Sequence, residues 1–183
     1  MNKILFLDVD GVLHPFHGVH MPYYRVELFH RDCMSRLARI IQETDAEIVL
    51  STSWRNFISM RNNLAANLSE YGLSFVSWIE LDSPGTKTAS EGKYSKILSY
   101  VQFHHPREWV VIDDEDLIKM SGADPESIMA QLFRSRFVQT NPETGLTDSD
   151  VESLISILND DNEYLSYHMH TITVQNTNVY SSI

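Results

Sequence analysis

The stretch that most constrains this chain is Lys3-Ile4-Leu5-Phe6-Leu7, an apolar run that leads straight into Asp8-Val9-Asp10-Gly11. A short run rich in Ile, Leu and Phe, closed by a turn signal, suits a strand buried on both faces, as in a parallel sheet. Residues i and i+2 of a strand point the same way. The pattern therefore predicts that Asp8 and Asp10 converge on one small volume at the carboxyl end of that strand. Two like charges that close repel, and one would ordinarily take up a proton. A divalent cation relieves the repulsion, and oxygen-only ligands favour Mg²⁺. Gly11 lets the backbone turn sharply just beyond the pair.

The rest of the chain alternates between short apolar runs and helical patterns. His30 to Thr44 reads as a helix with Cys33, Leu37, Ile40 and Ile41 on one stripe. Ala46 to Leu50 reads as a second buried strand, and Phe57 to Tyr71 as a helix with Ile58, Leu64 and Leu68 inward. Leu73 to Leu81 holds a third strand around Phe75-Val76-Ser77-Trp78, and Asp82 to Gly92 reads as a loop. A helix over Lys93 to Phe103 buries Ile97, Leu98 and Val101, ahead of a fourth strand, Trp109-Val110-Val111-Ile112. Leu117 to Arg134 is partly helical, Phe137-Val138 is a short fifth strand, and Thr147 caps a closing helix through Leu158. This order predicts an α/β fold: a Rossmann-like three-layer sandwich on a mainly parallel sheet. It gives one domain over 1–158 and an extension over 159–183 that could be an edge strand, a partner-binding arm or disordered.

The chain's 183 residues, 43% of them apolar, suffice for one substantial core. No apolar run is long enough to span a bilayer, and the N-terminal stretch lacks the signature of a secretory signal. Cys33 is the only cysteine, which points to a reducing cytoplasm. The net charge is −11, with 14 Lys and Arg against 25 Asp and Glu and no basic cluster. That argues against a large electrostatic footprint on nucleic acid. A nucleic-acid end held by a few local contacts stays open.

Three of the expected strands end in polar chemistry: Asp8/Asp10, Ser51/Thr52 and Asp113/Asp114. In parallel α/β sheets, ligands sit beyond the carboxyl ends of the strands. Simpler readings fail in turn. A calcium loop wants oxygen ligands at alternating positions and a Glu at the twelfth, where this chain has Val12, His14 and Val19. Gly92-Lys93 is no phosphate loop, because Tyr94 stands where Ser or Thr is needed. His14, His17 and His20 lie in an irregular segment; a partly exposed loop explains them better than a second metal site, with a single His reaching the substrate between the two. Trp54, Trp78 and Trp109 read as core. Arg55 reads equally as a surface arginine or as a bidentate phosphate ligand.

Asp8-Val9-Asp10-Gly11-Val12, Thr52, Lys93 and Asp113-Asp114, in that order and spacing, resemble the four motifs of the haloacid dehalogenase (HAD) superfamily. The resemblance covers roughly residues 3 to 158. Phe6 to Leu13, Ile48 to Arg55 and Gly145-Leu146-Thr147 are similar to the HAD domains of bacterial RNA-repair (Swiss Army Knife) proteins. The resemblance implies that Asp8 is the nucleophile and forms an aspartyl-phosphate, and that Asp10 is the acid and base. It implies that Thr52 and Lys93 oppose the charge on the transferring group, with Ser51 and Lys96 as their rivals. It further implies Mg²⁺ held by Asp8, Asp114 and a backbone carbonyl of Val9 or Asp10, with Asp113 acting close by or through water. Ser51, Arg55 and His14 are the candidate substrate contacts.

The implied activity is a phosphatase, because a dehalogenase needs no metal and a phosphate shuttle has Thr at the Asp10 position. The short segments after Gly11 and after Leu81 leave no room for a large cap domain. An open site suits a bulky phosphorylated substrate such as a nucleic-acid end; the acidic surface suits a small metabolite or nucleotide. A HAD-fold module without catalysis, binding a partner through the tail, is the reading of another class.

Overall fold

The structure is a computed structural model that describes residues 2–16, 29–80 and 89–160. Five strands form one all-parallel sheet in the order β3-β2-β1-β4-β5. They are β1 (Lys3–Leu7), β2 (Glu47–Leu50), β3 (Phe75–Trp78), β4 (Glu108–Asp113) and β5 (Phe137–Gln139). The helices are α1 (Arg31–Thr44), α2 (Ile58–Glu70), α3 (Ala89–His104), α4 (Leu117–Ser121), α5 (Ile128–Ser135) and α6 (Asp148–Leu158).

Strand alternation divides the core into two layers. Leu5, Leu7, Ile48, Leu50, Val110 and Ile112 pack under α1, α2 and α6, where they meet Leu37, Leu64 and Leu154. Phe6, Val49 and Val111 point the other way, onto Ile97 of α3, Leu117 of α4 and Phe133 of α5. The sheet thus lies between two helical layers, and the expected three-layer sandwich is the observed one. Among the described residues no large cap domain interrupts it. The chain runs outward from β1 through β2 to β3, then restarts on the other side at β4. The point where that order reverses lies between β1 and β4, and ligands of such sheets bind at this crevice.

Several local expectations change. Ile58 is 68% exposed. It stands six residues before Leu64, on the wrong side of a 3.6-residue turn, and Met60, four before Leu64, packs inward instead. Trp78 is 39% exposed at the sheet edge, with the Arg61 guanidinium over its ring at 4.9 Å, so it is not core. Helix α3 begins at Ala89, inside the segment read as a loop. Gly92 weakens a helix by only about 1 kcal/mol, too little to stop one. Residues 81–88, most of the histidine segment (17–28) and 161–183 lie outside the described residues. Thr147 caps α6 with a full capping box to Asp150.

At the far end of the sheet, Arg136 pairs with Glu108, and both are buried. Burial pushes the Glu108 carboxyl above its ordinary range, and the guanidinium opposes that rise. Removing one member leaves the other charge buried alone, which costs about 3–5 kcal/mol. Arg136→Leu should therefore lose about that much stability in urea unfolding, and Arg136→Leu with Glu108→Leu should recover most of it. Equal losses in the single and double variants would show that the pair is not what holds this corner.

Candidate active site

Strand β1 ends at Leu7, and the amide of Asp8 still donates to the Ile112 carbonyl at 3.1 Å. This fixes Asp8 beside the end of β4. The amides of Val12, Leu13 and His14 all donate to the Val9 carbonyl, at 3.2, 2.9 and 3.1 Å, and so wind the chain into a tight turn. Gly11 sits in that turn at φ +68°. A Cβ there would lie 2.4 Å from Cγ of Asp114, so only glycine lets the turn close against β4.

Carboxylate oxygens of Asp8, Asp113 and Asp114 lie within 4.8 Å of one another. Lys93, one turn inside α3, places Nζ 2.6 Å from Asp113 Oδ2 and 3.5 Å from Asp8 Oδ1. Lys93, Asp8 and Asp113 are buried, and Asp114 is half-buried. Asp8 and Asp113 thus share one ammonium, with the Asp114 carboxylate beside them. Burial pushes the Asp113 carboxyl up to about 7, with the Asp8 charge adding to the rise and Lys93 opposing it. Burial and Asp8 push Asp114 up to about 6. Burial also raises Asp8, against the pull of Lys93. Burial disfavours the Lys93 charge, but Asp8 and Asp113 outweigh it, and the ammonium keeps its proton above the ordinary value. An excess of hard oxygen donors with deficient positive charge fits a Mg²⁺ ion.

The remaining candidates have distinct surroundings. The Thr52 hydroxyl accepts from the Trp54 amide at 3.3 Å, and it eases the Asp8 carboxyl slightly downward against the larger effect of burial. Asp10 does not join the three-carboxylate cluster. Its Oδ2 accepts from the Trp54 indole N–H at 2.8 Å, and its Oδ1 lies 3.5 Å from His14 Nδ1. Trp54 is core as expected, but its partnership with Asp10 is one that sequence reasoning missed; the Trp directly after Ser51-Thr52-Ser53 was the available signal. Of the two lysines weighed, Lys93 is the one bonded to the carboxylates, and Lys96 is half-buried farther along α3.

Arg55 is 2% exposed, which rules out the surface reading. Its Nη1 donates to the Thr52 carbonyl. Burial lowers the guanidinium's hold on its proton, and the Asp8 charge acts against that. Among the described residues, the buried side-chain atoms without a hydrogen-bond partner are His14 Nδ1, Ser51 Oγ and Arg55 Nη2. Each such atom costs about 1–3 kcal/mol. All three belong to the surroundings of Asp8 and Asp10. Ser51 follows the register pair Leu7–Leu50 and so flanks Asp8, Arg55 feels the Asp8 charge, and His14 adjoins Asp10. A region that accepts this cost is suited to a ligand rich in polar oxygens.

Gly11→Ala tests the turn. It should displace Asp114 and abolish divalent-cation binding measured by calorimetry. Gly122→Ala provides the control: Gly122 has a similar φ of +70° but nothing within 4 Å of the new Cβ. That variant should lose only about 1 kcal/mol of stability and bind the cation normally. Normal cation binding by Gly11→Ala would refute the close-approach argument.

The family model for the HAD domain in Swiss Army Knife RNA repair proteins matches residues 4–151. No curated protein and no solved structure matches the chain.

Proposed function

The chain belongs to the family of HAD domains in Swiss Army Knife RNA repair proteins, and from that premise we propose that it is a Mg²⁺-dependent phosphatase acting on phosphoric monoesters. Membership points to a HAD-type hydrolase; the finer reading rests on Asp8, Asp113, Asp114 and Lys93 meeting at one strand end. Asp8 and Asp114 would hold the metal, with Asp113 contributing directly or through water. Both oxygens of Asp113 already accept, from Lys93 and from the Glu115 amide, which suits it to the indirect role. Of the two candidate backbone carbonyls, that of Val9 is taken by three amides, so the Asp10 carbonyl is the one assigned. Asp10 would then reach the metal through its backbone and keep its carboxylate for proton transfer. Bound Mg²⁺ would neutralise the carboxylates and the phosphoryl oxygens, letting one anion approach another.

Asp8 attacks phosphorus, and the bond to the leaving oxygen breaks. Asp10 gives its proton to that oxygen, then takes one from the water that hydrolyses the aspartyl-phosphate. The indole of Trp54 holds Asp10 in position for both transfers. Thr52, Ser51, Lys93 and Arg55 donate to the phosphoryl oxygens, where charge is spread in the transition state. His14, beside Asp10, contacts the leaving group.

The substrate assigned is a phosphorylated nucleic-acid terminus, supported by the family's context and by the absence of a large cap among the described residues. The net charge of −11 favours a second reading, a nucleotide or small phosphate ester. No helix among the described residues is long and apolar enough to cross a membrane, and the lone buried Cys33 supports the cytoplasm as the place of action.

Hydrolysis of an aryl phosphate should require Mg²⁺, disappear in Asp8→Asn and fall about 10²–10⁴-fold in Asp10→Asn. A panel of 3′- and 5′-phosphorylated oligonucleotides, nucleotides and sugar phosphates should favour the oligonucleotides. A wild type without turnover would refute the catalytic reading. Turnover confined to small phosphates would refute the assigned substrate.

A further inference from the structure

The carboxylates of β1 and β4 sit on two separate segments, and their relative placement depends on what ties those segments together beyond the strands. The chain just after β5 makes the tie. Thr140 is 4% exposed and bonds both segments at once. Its amide donates to the Asp113 carbonyl at 3.0 Å, and its hydroxyl donates to the Gly11 carbonyl at 2.9 Å. Next to it, the Gln139 side-chain amide donates to the Asp114 carbonyl at 2.9 Å. The same stretch continues the grip through the Leu146 amide, which donates to the Val12 carbonyl at 2.9 Å. Gly145 packs so closely that a Cβ would lie 2.6 Å from that same carbonyl. The Phe16 amide donates to the Pro142 carbonyl at 2.7 Å.

These contacts reach backbone carbonyls of the acidic segments and leave the carboxylates themselves untouched. The Gly11 turn already lies against the Asp114 side chain. A hydroxyl that pulls on the Gly11 carbonyl from the end of β5 therefore sets the distance between the Asp8–Asp10 turn and Asp113–Asp114. We propose that Thr140, aided by Gln139, is a positioning residue that brings the two acidic segments into register for the cation and for Asp8. It touches neither substrate nor metal. The inference rests on the proposed phosphatase reading for its kinetic arm only.

Thr140→Val removes the hydroxyl and keeps the shape, while Thr140→Ser keeps the hydroxyl. Using the full 183-residue chain, Mg²⁺ affinity is measured by calorimetry without substrate, beside kcat and KM for an aryl phosphate. In Thr140→Val the Mg²⁺ affinity and kcat should each fall about 10–100-fold, with KM little changed, and Thr140→Ser should restore most of both. Gln139→Leu, on an exposed side chain, should weaken Mg²⁺ binding in the same direction. Wild-type Mg²⁺ affinity in Thr140→Val, with or without a lower unfolding temperature, overturns the proposal. Where Thr140→Val does not fold, unchanged Mg²⁺ affinity in Gln139→Leu overturns it. A wild type that binds Mg²⁺ but turns over no phosphate ester refutes the phosphatase reading, while the binding arm still decides the role of Thr140.

Discussion

Three carboxylates meet one ammonium at the buried end of β1 and β4, and the rest of the structure is arranged around that imbalance. Water would screen such charges, but Asp8, Asp113 and Lys93 are largely shielded from it. In surroundings of low dielectric, like charges repel several times more strongly than in water. Burial first, and the Asp8 charge second, push Asp113 up to about 7 and Asp114 up to about 6. The all-parallel sheet makes the arrangement possible. Its central strands are covered on both faces by apolar side chains, so the charged groups gather where the strands end.

The turn after β1 separates two carboxylates that strand periodicity alone would place together. The strand ends at Leu7, and three amides close on the Val9 carbonyl. Asp8 stays with Lys93 and the β4 acids, while the Asp10 carboxylate goes to Trp54 and His14. One is buried next to positive charge and the other is held by a neutral donor at a partly exposed place. Different surroundings are what allow two identical side chains to take different duties. Glycine at position 11 is the condition for this, because any larger residue would meet Asp114.

Much of this was legible in the sequence. Buried central strands announce themselves as short apolar runs, and the half-exposed edge strand β3 shares that composition, so all five strands and the helical layers follow from pattern. The gathering of Asp8, Asp113 and Asp114 with Lys93 and the capping box of α6 follow as well, whereas the expected convergence of Asp10 with Asp8 does not occur. What escaped detection depends on contacts between residues distant in sequence. The bond from Trp54 to Asp10 spans 44 positions, and the one from Thr140 to Gly11 spans 129. Nothing in a local window distinguishes a Trp that fills space from one that also donates a hydrogen bond. Ile58 and Trp78 misled for a simpler reason: hydrophobicity was read as burial, whereas a helix start and an edge strand leave such residues in solvent. Arg55 had the opposite fate, since charge suggests exposure and the 3₁₀ turn at Ser53–Asn56 carries it inward.

The acidic character of the whole molecule and the donors at its site act over different ranges. At physiological salt the Debye length is about 8 Å, so surface charges spread over the chain are largely screened from a group inside the crevice. A phosphate seated there would meet Lys93, Arg55, Ser51 and Thr52 at close quarters, where screening is weak. The net charge of −11 therefore bears on how much polyanion can lie along the surface, and much less on whether one phosphate can enter. A nucleic-acid terminus and a small phosphate ester present the same group to these donors. They differ in the part of the substrate left outside the crevice, where a long strand would run over acidic surface and a short one would not. The proposed reading is thus narrowed to substrates held by the end: recognition concentrated on the terminal phosphate, with little contribution from the backbone behind it.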